Sequence, residues 1–125
     1  MGSIGVANGD FFSQLEVNPV TGYYKTENIK KLYHWIEDRS LEYVEQNGIT
    51  ADSDGDVYLS VAPLRGEGGH LYEVTIPDNN RLYDWREMWY DNNGQEFDSE
   101  HQYNENNPYF IYMGNIPKKY LKLVR

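Results

Sequence analysis

Residues 31–35 read Lys31-Leu32-Tyr33-His34-Trp35, and the predicted fold depends on this stretch more than on any other. It alternates as a β-strand does, with Leu32 and His34 on one face and their aromatic neighbours on the other. A short helix is predicted soon afterwards, over 41–47, because apolar residues recur there at helical spacing before a glycine. The chain therefore contains a strand followed by a helix.

Most of the remaining chain is predicted to form strands, because apolar residues alternate with polar ones or run together. The predicted strands cover 22–25, 57–61, 70–76, 109–113 and 120–124. Apolar residues in 82–90 follow a helical spacing and predict a second short helix, whereas 1–21 and 91–107 are predicted to be irregular. A strand, a helix and then several strands indicate an α+β fold with antiparallel pairing.

The length and the net charge of the chain limit the functions that it can have. The chain has 125 residues, which suits one core, so we expect an irregular N-terminal segment over 1–21 and a single domain over 22–125. Lys and Arg number 11 against 20 for Asp and Glu, a formal net charge of −9 that disfavours bulk nucleic-acid binding. No stretch has the length and apolarity of a membrane span or the pattern of a secretory signal, so a cytoplasmic protein is expected.

Metal and nucleophile motifs are weak. The chain has no cysteine, which excludes disulfides and thiolate sites. The Asp52-x-Asp54-x-Asp56 run lacks the glycine and the later glutamate of a calcium loop, so an acidic turn is predicted. The three histidines, at 34, 70 and 101, lack the spacing of a zinc helix. We therefore predict no metal site.

Three segments taken together form a more specific pattern. They are Leu32-Tyr33-His34-Trp35 with the helix that ends in Asn47-Gly48-Ile49, then Asp56-Val57-Tyr58-Leu59-Ser60, and finally Tyr109-Phe110-Ile111-Tyr112 followed by Ile116-Pro117-Lys118-Lys119-Tyr120-Leu121-Lys122-Leu123. Their order and spacing resemble the ADP-ribosyltransferase fold, in the branch of poly-ADP-ribose polymerases, RNA 2′-phosphotransferases and small bacterial or phage transferases. The resemblance covers 31–124 with a gap over 78–107, and it implies a small split antiparallel β-sandwich.

The resemblance also implies a site for NAD as substrate, with no metal. By this likeness Tyr58 would stack on the nicotinamide, His34 would hydrogen-bond a ribose hydroxyl, the backbone of Trp35 would hold the carboxamide, and Ser60 would assist. The imidazole and the phenol are then expected to line one hollow. The residues alone leave two alternatives open, namely that His34 is an interior histidine and that Tyr58 is a core aromatic.

Two departures from the family pattern put catalysis in question. Trp35 stands where the family often has glycine. The family also has a glutamate at the head of the penultimate strand, where Asn107 or Pro108 stands here, so Glu105 is the predicted catalytic acid beside His34. Alternatively Glu73 or another acid substitutes, or the site is inactive.

Two functions from different classes follow. The first is an ADP-ribosyltransferase-like protein that binds NAD, a bacterial toxin or phage effector whose acceptor is a host protein with a basic surface. The second is a non-enzymatic acidic inhibitor of the anti-defence or nucleic-acid-mimic type, which would bind a basic partner through complementary charge. A binding module that keeps the fold without catalysis is a third possibility.

Overall fold

The computed structural model describes residues 12–63, 68–89 and 107–124. These ranges include the α-helices α1 (Leu41–Asn47) and α2 (Trp85–Trp89). Eight strands accompany them, namely β1 (Glu16–Val17), β2 (Tyr24–Lys25), β3 (Lys31–Ile36), β4 (Asp56–Ser60), β5 (His70–Thr75), β6 (Leu82–Asp84), β7 (Tyr109–Met113) and β8 (Leu121–Leu123). The predicted α+β class with antiparallel pairing is confirmed.

Six of the strands form one sheet in the order β6-β7-β4-β3-β5-β8, while β1 and β2 pair separately as a short hairpin. All of these pairings are antiparallel. Strand β3 lies in the middle and pairs unequally with its two neighbours. Six residue pairs join it to β5, but only Tyr33 and Ser60 are recorded as partners between β3 and β4 among the described residues.

One face of the sheet carries the main core. Alternation places Leu32 of β3, Leu59 of β4, Val74 of β5 and Phe110 of β7 on this face, and all four are fully buried. Val44 of α1 packs onto the same cluster. The core holds the six strands together and keeps β3 and β4 side by side even where their backbones do not pair.

Helix α1 has the predicted bounds. The polar residues Asp38 and Ser40 precede it, but neither side chain caps the helix. The carboxylate of Asp38 instead accepts from the backbone N–H of Gly69 at 3.1 Å and lies 2.8 Å from His70 Nε2. Gly48 ends the helix with a φ of +81°. Asp38 therefore ties the helix entrance to the start of β5.

Two other expectations are corrected. The stretch 82–90, predicted as one helix, is a strand followed by a helix, because Leu82, Tyr83 and Asp84 pair with β7. Asp84 then accepts from the backbone N–H of Arg86 at 2.9 Å, so α2 starts only after it. The segment 1–21, predicted as irregular, contains strand β1, which pairs with β2 across the predicted boundary at residue 22.

Candidate functional site

The recorded ladder between β3 and β4 consists of the single pair Tyr33 and Ser60. Antiparallel strands direct their backbone groups alternately to one neighbour and to the other. The N–H of Ile76 donates to the carbonyl of Lys30 at 2.9 Å, so even-numbered residues of β3 face β5 and odd-numbered ones face β4. The same argument, from the 3.2 Å bond between Val61 N–H and the Pro108 carbonyl, directs even-numbered residues of β4 towards β3.

The backbone groups of Trp35 and Tyr58 therefore face each other, although these two residues are not recorded as a pair of the ladder. We call the space between these two backbones the strand gap. The register set by Tyr33 and Ser60 would make Trp35 and Tyr58 the next pair of this kind, two residues further along each strand. The gap is thus a place where the ladder stops although both strands continue.

The side chain of His34 bonds a backbone carbonyl oxygen of β4 that would otherwise accept a hydrogen bond from the backbone of β3. Its Nδ1 lies 2.7 Å from the backbone carbonyl oxygen of Tyr58. Since a carbonyl only accepts, Nδ1 carries the proton and donates it. An imidazole in place of a backbone N–H explains physically why β3 and β4 stop pairing at this point.

The protonation state of His34 follows from its surroundings. Burial lowers the pKa of His34 below its usual value of 6.5, because it penalises the charged form, while the hydrogen bond to Tyr58 acts in the opposite direction. The ring is neutral at neutral pH with its proton on Nδ1, so Nε2 carries a free lone pair. No described residue forms a hydrogen bond with that atom. His34 thus presents an acceptor next to the strand gap.

His34 and Tyr58 leave the sheet on opposite faces. Alternation puts His34 on the core face with Tyr72, its partner on β5. Tyr58 lies on the other face, together with Tyr33 and Trp35. We expected the imidazole and the phenol to line one hollow, whereas the structure directs them to opposite faces of the sheet. The imidazole of His34 contacts the backbone carbonyl of Tyr58. The strand gap lies in the plane of the sheet, between its two faces.

The other two predicted binding residues are already engaged. The hydroxyl of Ser60 is buried and donates to the carbonyl of Ala62 at 2.9 Å. The indole of Trp35 lies beneath Gly69, where a Cβ would overlap the Ile36 carbonyl oxygen and lie 2.7 Å from the indole nitrogen. The Ser60 hydroxyl therefore holds the chain at the end of β4. The backbone of Trp35, rather than its ring, faces the strand gap.

The predicted carboxylates do not converge on the gap among the described residues. Glu105 lies outside those residues. Glu73, the alternative acid, is the β5 partner of Tyr33 and lies 3.2 Å from Lys31 Nζ. Asn107, which stands nearest the family's glutamate position, accepts from the backbone N–H of Ala62 at 3.0 Å and so fixes the start of β7.

Comparisons with known proteins give no assignment. The chain matches no family model, no curated protein and no solved structure. Within the described ranges, no three His, Asp or Glu side chains come together as a metal would require. No helix in those ranges combines the length and apolar character needed to cross a bilayer.

Sequence reasoning missed the feature that organises the site. The pattern singled out His34 and Tyr58 as side chains, whereas the contact joins a side chain to a backbone carbonyl. It also missed the close approach of Gly69 to Trp35, although the glycines at 66, 68 and 69 were a signal that the chain passes near another group there. The signals available in the sequence were a histidine in the middle of a predicted strand and, separately, a glycine-rich stretch.

Proposed function

We propose that this chain binds NAD as a substrate at the strand gap and transfers ADP-ribose to an acceptor. One observation supports this above the others, namely that the recorded β3–β4 ladder stops where the imidazole of His34 bonds the Tyr58 carbonyl. The split sheet implied by the sequence resemblance would have such an opening. The sequence order of the three matching segments supports the same proposal.

The groups around the gap suit nicotinamide riboside chemically. A carboxamide has two N–H donors and one carbonyl acceptor, and the backbone of Trp35, which lies outside the recorded β3–β4 ladder, has one group of each complementary kind. The free Nε2 lone pair of His34 is a suitable acceptor for a ribose hydroxyl. The half-buried phenol of Tyr58 supplies a flat surface on the other face of the sheet for the pyridinium ring.

The reaction proposed is substitution at the ribose carbon attached to nicotinamide. The bond from that carbon to the nicotinamide nitrogen breaks, and its electron pair leaves with nicotinamide. The ribose passes through a cation-like state, an acceptor nucleophile then donates a pair to the same carbon, and the acceptor's proton goes to solvent or to a carboxylate. Hydrogen bonds that hold the ribose while charge develops would lower the barrier. Glu105 remains the proposed acid.

The first experiment measures binding separately from turnover. Isothermal titration with NAD and with nicotinamide is expected to give saturable binding to the wild-type chain. His34→Gln should weaken NAD binding at least about tenfold, the cost of one buried hydrogen bond. The matched control is His70→Gln, because His70 lies on the same face but bonds Asp38 instead. Absence of NAD binding to the folded wild-type chain would refute the proposal.

Turnover is then tested by mass. Incubation with NAD and a mixture of basic proteins should add one ADP-ribose to an acceptor and release nicotinamide. Glu105→Gln is expected to abolish the product while NAD binding is retained. If the wild-type chain binds NAD but forms no product, transferase activity is refuted. The proposal is then reduced to an NAD-binding module.

A second candidate, the acidic inhibitor, has one observation in its favour. Four exposed carboxylates near α1 and the following turn, at Glu42, Glu45, Asp52 and Asp54, form no ion pair with another described residue. Such a cluster would attract a basic partner. The test is competition with duplex DNA for a histone. This candidate requires displacement of DNA that weakens steeply with added salt, and no displacement would exclude it.

A further inference from the structure

The two edges of the six-stranded sheet are covered differently. At one edge, β2 of the hairpin lies beside β6, and the backbone N–H of Tyr24 donates to the carboxylate of Asp84 at 2.8 Å. At the other edge, β8 pairs with β5 on its inner side, and no other described strand joins it. Leu123 and Val124 are 44% and 48% exposed there. The outer side of β8 is therefore open to solvent.

The backbone groups on that outer side belong to Leu121 and Leu123. The N–H of Val124 donates to the carbonyl of Leu71 at 2.8 Å, so even-numbered residues of this strand direct their backbone groups towards β5. Odd-numbered residues direct theirs away from the sheet. The N–H of Leu121 donates to the carbonyl of Lys118. The Leu121 carbonyl and both backbone groups of Leu123 are left without a recorded bond to any described residue.

Positive charge surrounds this open edge on a chain whose net charge is −9. No acidic residue follows Glu105 in the sequence, whereas four basic residues do, namely Lys118, Lys119, Lys122 and Arg125. Within the described ranges, none of these three lysines is in an ion pair. Lys122 is opposite Glu73 of β5, but that carboxylate lies 3.2 Å from Lys31. The edge therefore carries positive charge that the described residues do not neutralise.

The two faces of β8 differ in polarity. Leu121 and Leu123 point to the core face and line a hollow with Val44 and Glu45 of α1, whereas Lys122 points to the other face. A strand added antiparallel to β8 would place each side chain on the same face as its β8 partner. Residues opposite the two leucines would be apolar, because Glu45 disfavours an acid in the hollow. The residue between them would be acidic, opposite Lys122.

We propose that the outer edge of β8 binds an extended acidic segment of another protein as an additional antiparallel strand, in which apolar and acidic residues alternate. Backbone hydrogen bonds to Leu121 and Leu123 would supply affinity, while the lysines would select an acidic sequence. A second copy of this chain fits the edge less well. Full overlap of two β8 strands would put the Lys122 side chains of both copies opposite each other, which is destabilising. The proposal does not depend on NAD binding.

The test titrates the full chain with a capped peptide of the sequence Glu-Val-Glu-Val-Glu-Val-Glu. Amide chemical shifts should show saturable binding with a Kd on the order of 100 μM, as expected of a small interface. Valines opposite Leu121 and Leu123 exchange backbone bonds with β8, whereas the glutamates direct their N–H groups away. N-methylation of the valines should therefore weaken binding at least about tenfold, and N-methylation of the glutamates much less. Equal binding of both methylated peptides would overturn the proposal.

A proline variant tests the edge from the side of the protein. Leu123→Pro removes the N–H that faces solvent and leaves the bonds between β8 and β5 in place. It should weaken peptide binding at least about tenfold relative to Leu123→Ala, which keeps the N–H and loses the same side chain. Unchanged amide shifts in β5 show that the fold is retained. Equal binding to the two variants would mean that the peptide does not pair with β8.

Charge selection is tested at Lys122. Lys122→Glu should weaken the peptide about fivefold, because an attractive cross-strand pair becomes a repulsive one. The matched control is Lys30→Glu, which changes the net charge equally at an exposed lysine before β3 and should leave binding nearly unchanged. Equal weakening in both variants would show that overall charge, rather than the β8 edge, attracts the peptide, and would refute the site.

Sedimentation of the free chain tests the second copy as the occupant. We expect a monomer at the concentration used for the titration, with the Leu123 amide exchanging rapidly until the peptide is added. A dimer in which the Leu123 amide is already protected would assign this edge to a second copy and overturn the proposal.

Discussion

The two edges of strand β3 behave differently although they belong to the same six residues. Towards β5 the ladder runs over all of Lys31–Ile36, whereas towards β4 it is limited to Tyr33 opposite Ser60. The strands on both sides have high β propensity, with many aromatic and branched residues, so propensity does not explain the difference. The difference arises from one side chain, since the imidazole of His34 takes the Tyr58 carbonyl.

The comparison teaches that a backbone ladder can be ended by a polar side chain without a bulge or a proline. Every buried carbonyl needs a donor, and a neutral imidazole that carries its proton on Nδ1 satisfies that need as well as a backbone N–H does. Trp35 and Tyr58 are then not a pair of the recorded ladder between β3 and β4. The core beneath, which includes Leu32 and Leu59, keeps the two strands adjacent nonetheless.

The largest expected effect comes from Gly69, which lies against the end of β3. At Gly69 the φ angle is +86°, and a Cβ would overlap the Ile36 carbonyl and press on the Trp35 indole. Gly69→Ala should therefore lower the free energy of unfolding by about 3 kcal/mol, from backbone strain and overpacking together. Urea unfolding measures this loss.

The matched control for that variant is Gly22→Ala. Gly22 has a similar φ of +77°, but nothing lies within 4 Å of the position a Cβ would take. Its loss should be about 1 kcal/mol, from backbone strain alone. Equal losses in the two variants would mean that Gly69 does not press on the end of β3 as described.

The second prediction concerns a variant in which both edges of β3 should pair alike. His34→Val removes the imidazole and frees the Tyr58 carbonyl, so the Trp35 N–H should bond it and the ladder should extend by one pair. Hydrogen exchange of the Trp35 amide should slow at least about tenfold, while the Leu32 amide, which faces β5, keeps its rate. Unchanged or faster exchange at Trp35 would show that another feature keeps the strands apart.

Much of the fold was predictable from local pattern. The helix over 41–47 has the predicted bounds, and the strand at 109–113 does too, because each has a clear apolar period and a turn former after it. The split of 82–90 into strand and helix was not predicted, since Leu82 and Trp85 fit helical spacing while Leu82 in fact pairs with Tyr112. Pairing with a distant strand overrode the local period.

The candidate site was predictable only as a set of residues. The imidazole of His34 contacts the Tyr58 backbone, but the two side chains lie on opposite faces of the sheet, as the register of β3 against β4 dictates. A contact between residues 24 positions apart leaves no local trace in the sequence. The bond of His34 to a carbonyl is equally invisible, because every residue has that carbonyl. Geometry of this kind comes from tertiary structure alone.

A third prediction compares the two buried tyrosines of the core face. Tyr72→Phe should raise the free energy of unfolding by about 1 kcal/mol, because it removes a buried hydroxyl that has no partner. Tyr112→Phe should give no such gain, because the Tyr112 hydroxyl is not among the buried groups that lack a partner. Thermal and urea unfolding of both variants check the signs. A loss of stability in Tyr72→Phe would mean that its hydroxyl is satisfied.

The smallest expected effect is the pH dependence contributed by His34. Burial lowers the pKa of His34 in the folded chain, so the unfolded chain binds the proton at higher pH than the folded chain does. The stabilising contribution is therefore full above the ordinary pKa of about 6.5, and it decreases as pH falls towards the folded pKa. Below the folded pKa no further loss from this group is expected.

The difference between wild type and His34→Gln isolates that contribution. The raised pKa values of the Asp56 and Glu87 carboxyls, due first to burial in each case, act with the opposite sign but are common to both proteins. Urea unfolding at about pH 7.5 and about pH 5 should therefore give a larger loss on acidification for wild type than for the variant. Equal losses would mean that the imidazole takes up its proton as readily in the fold as outside it. A ring so easily protonated would not present the Nε2 acceptor on which ribose binding at the strand gap depends.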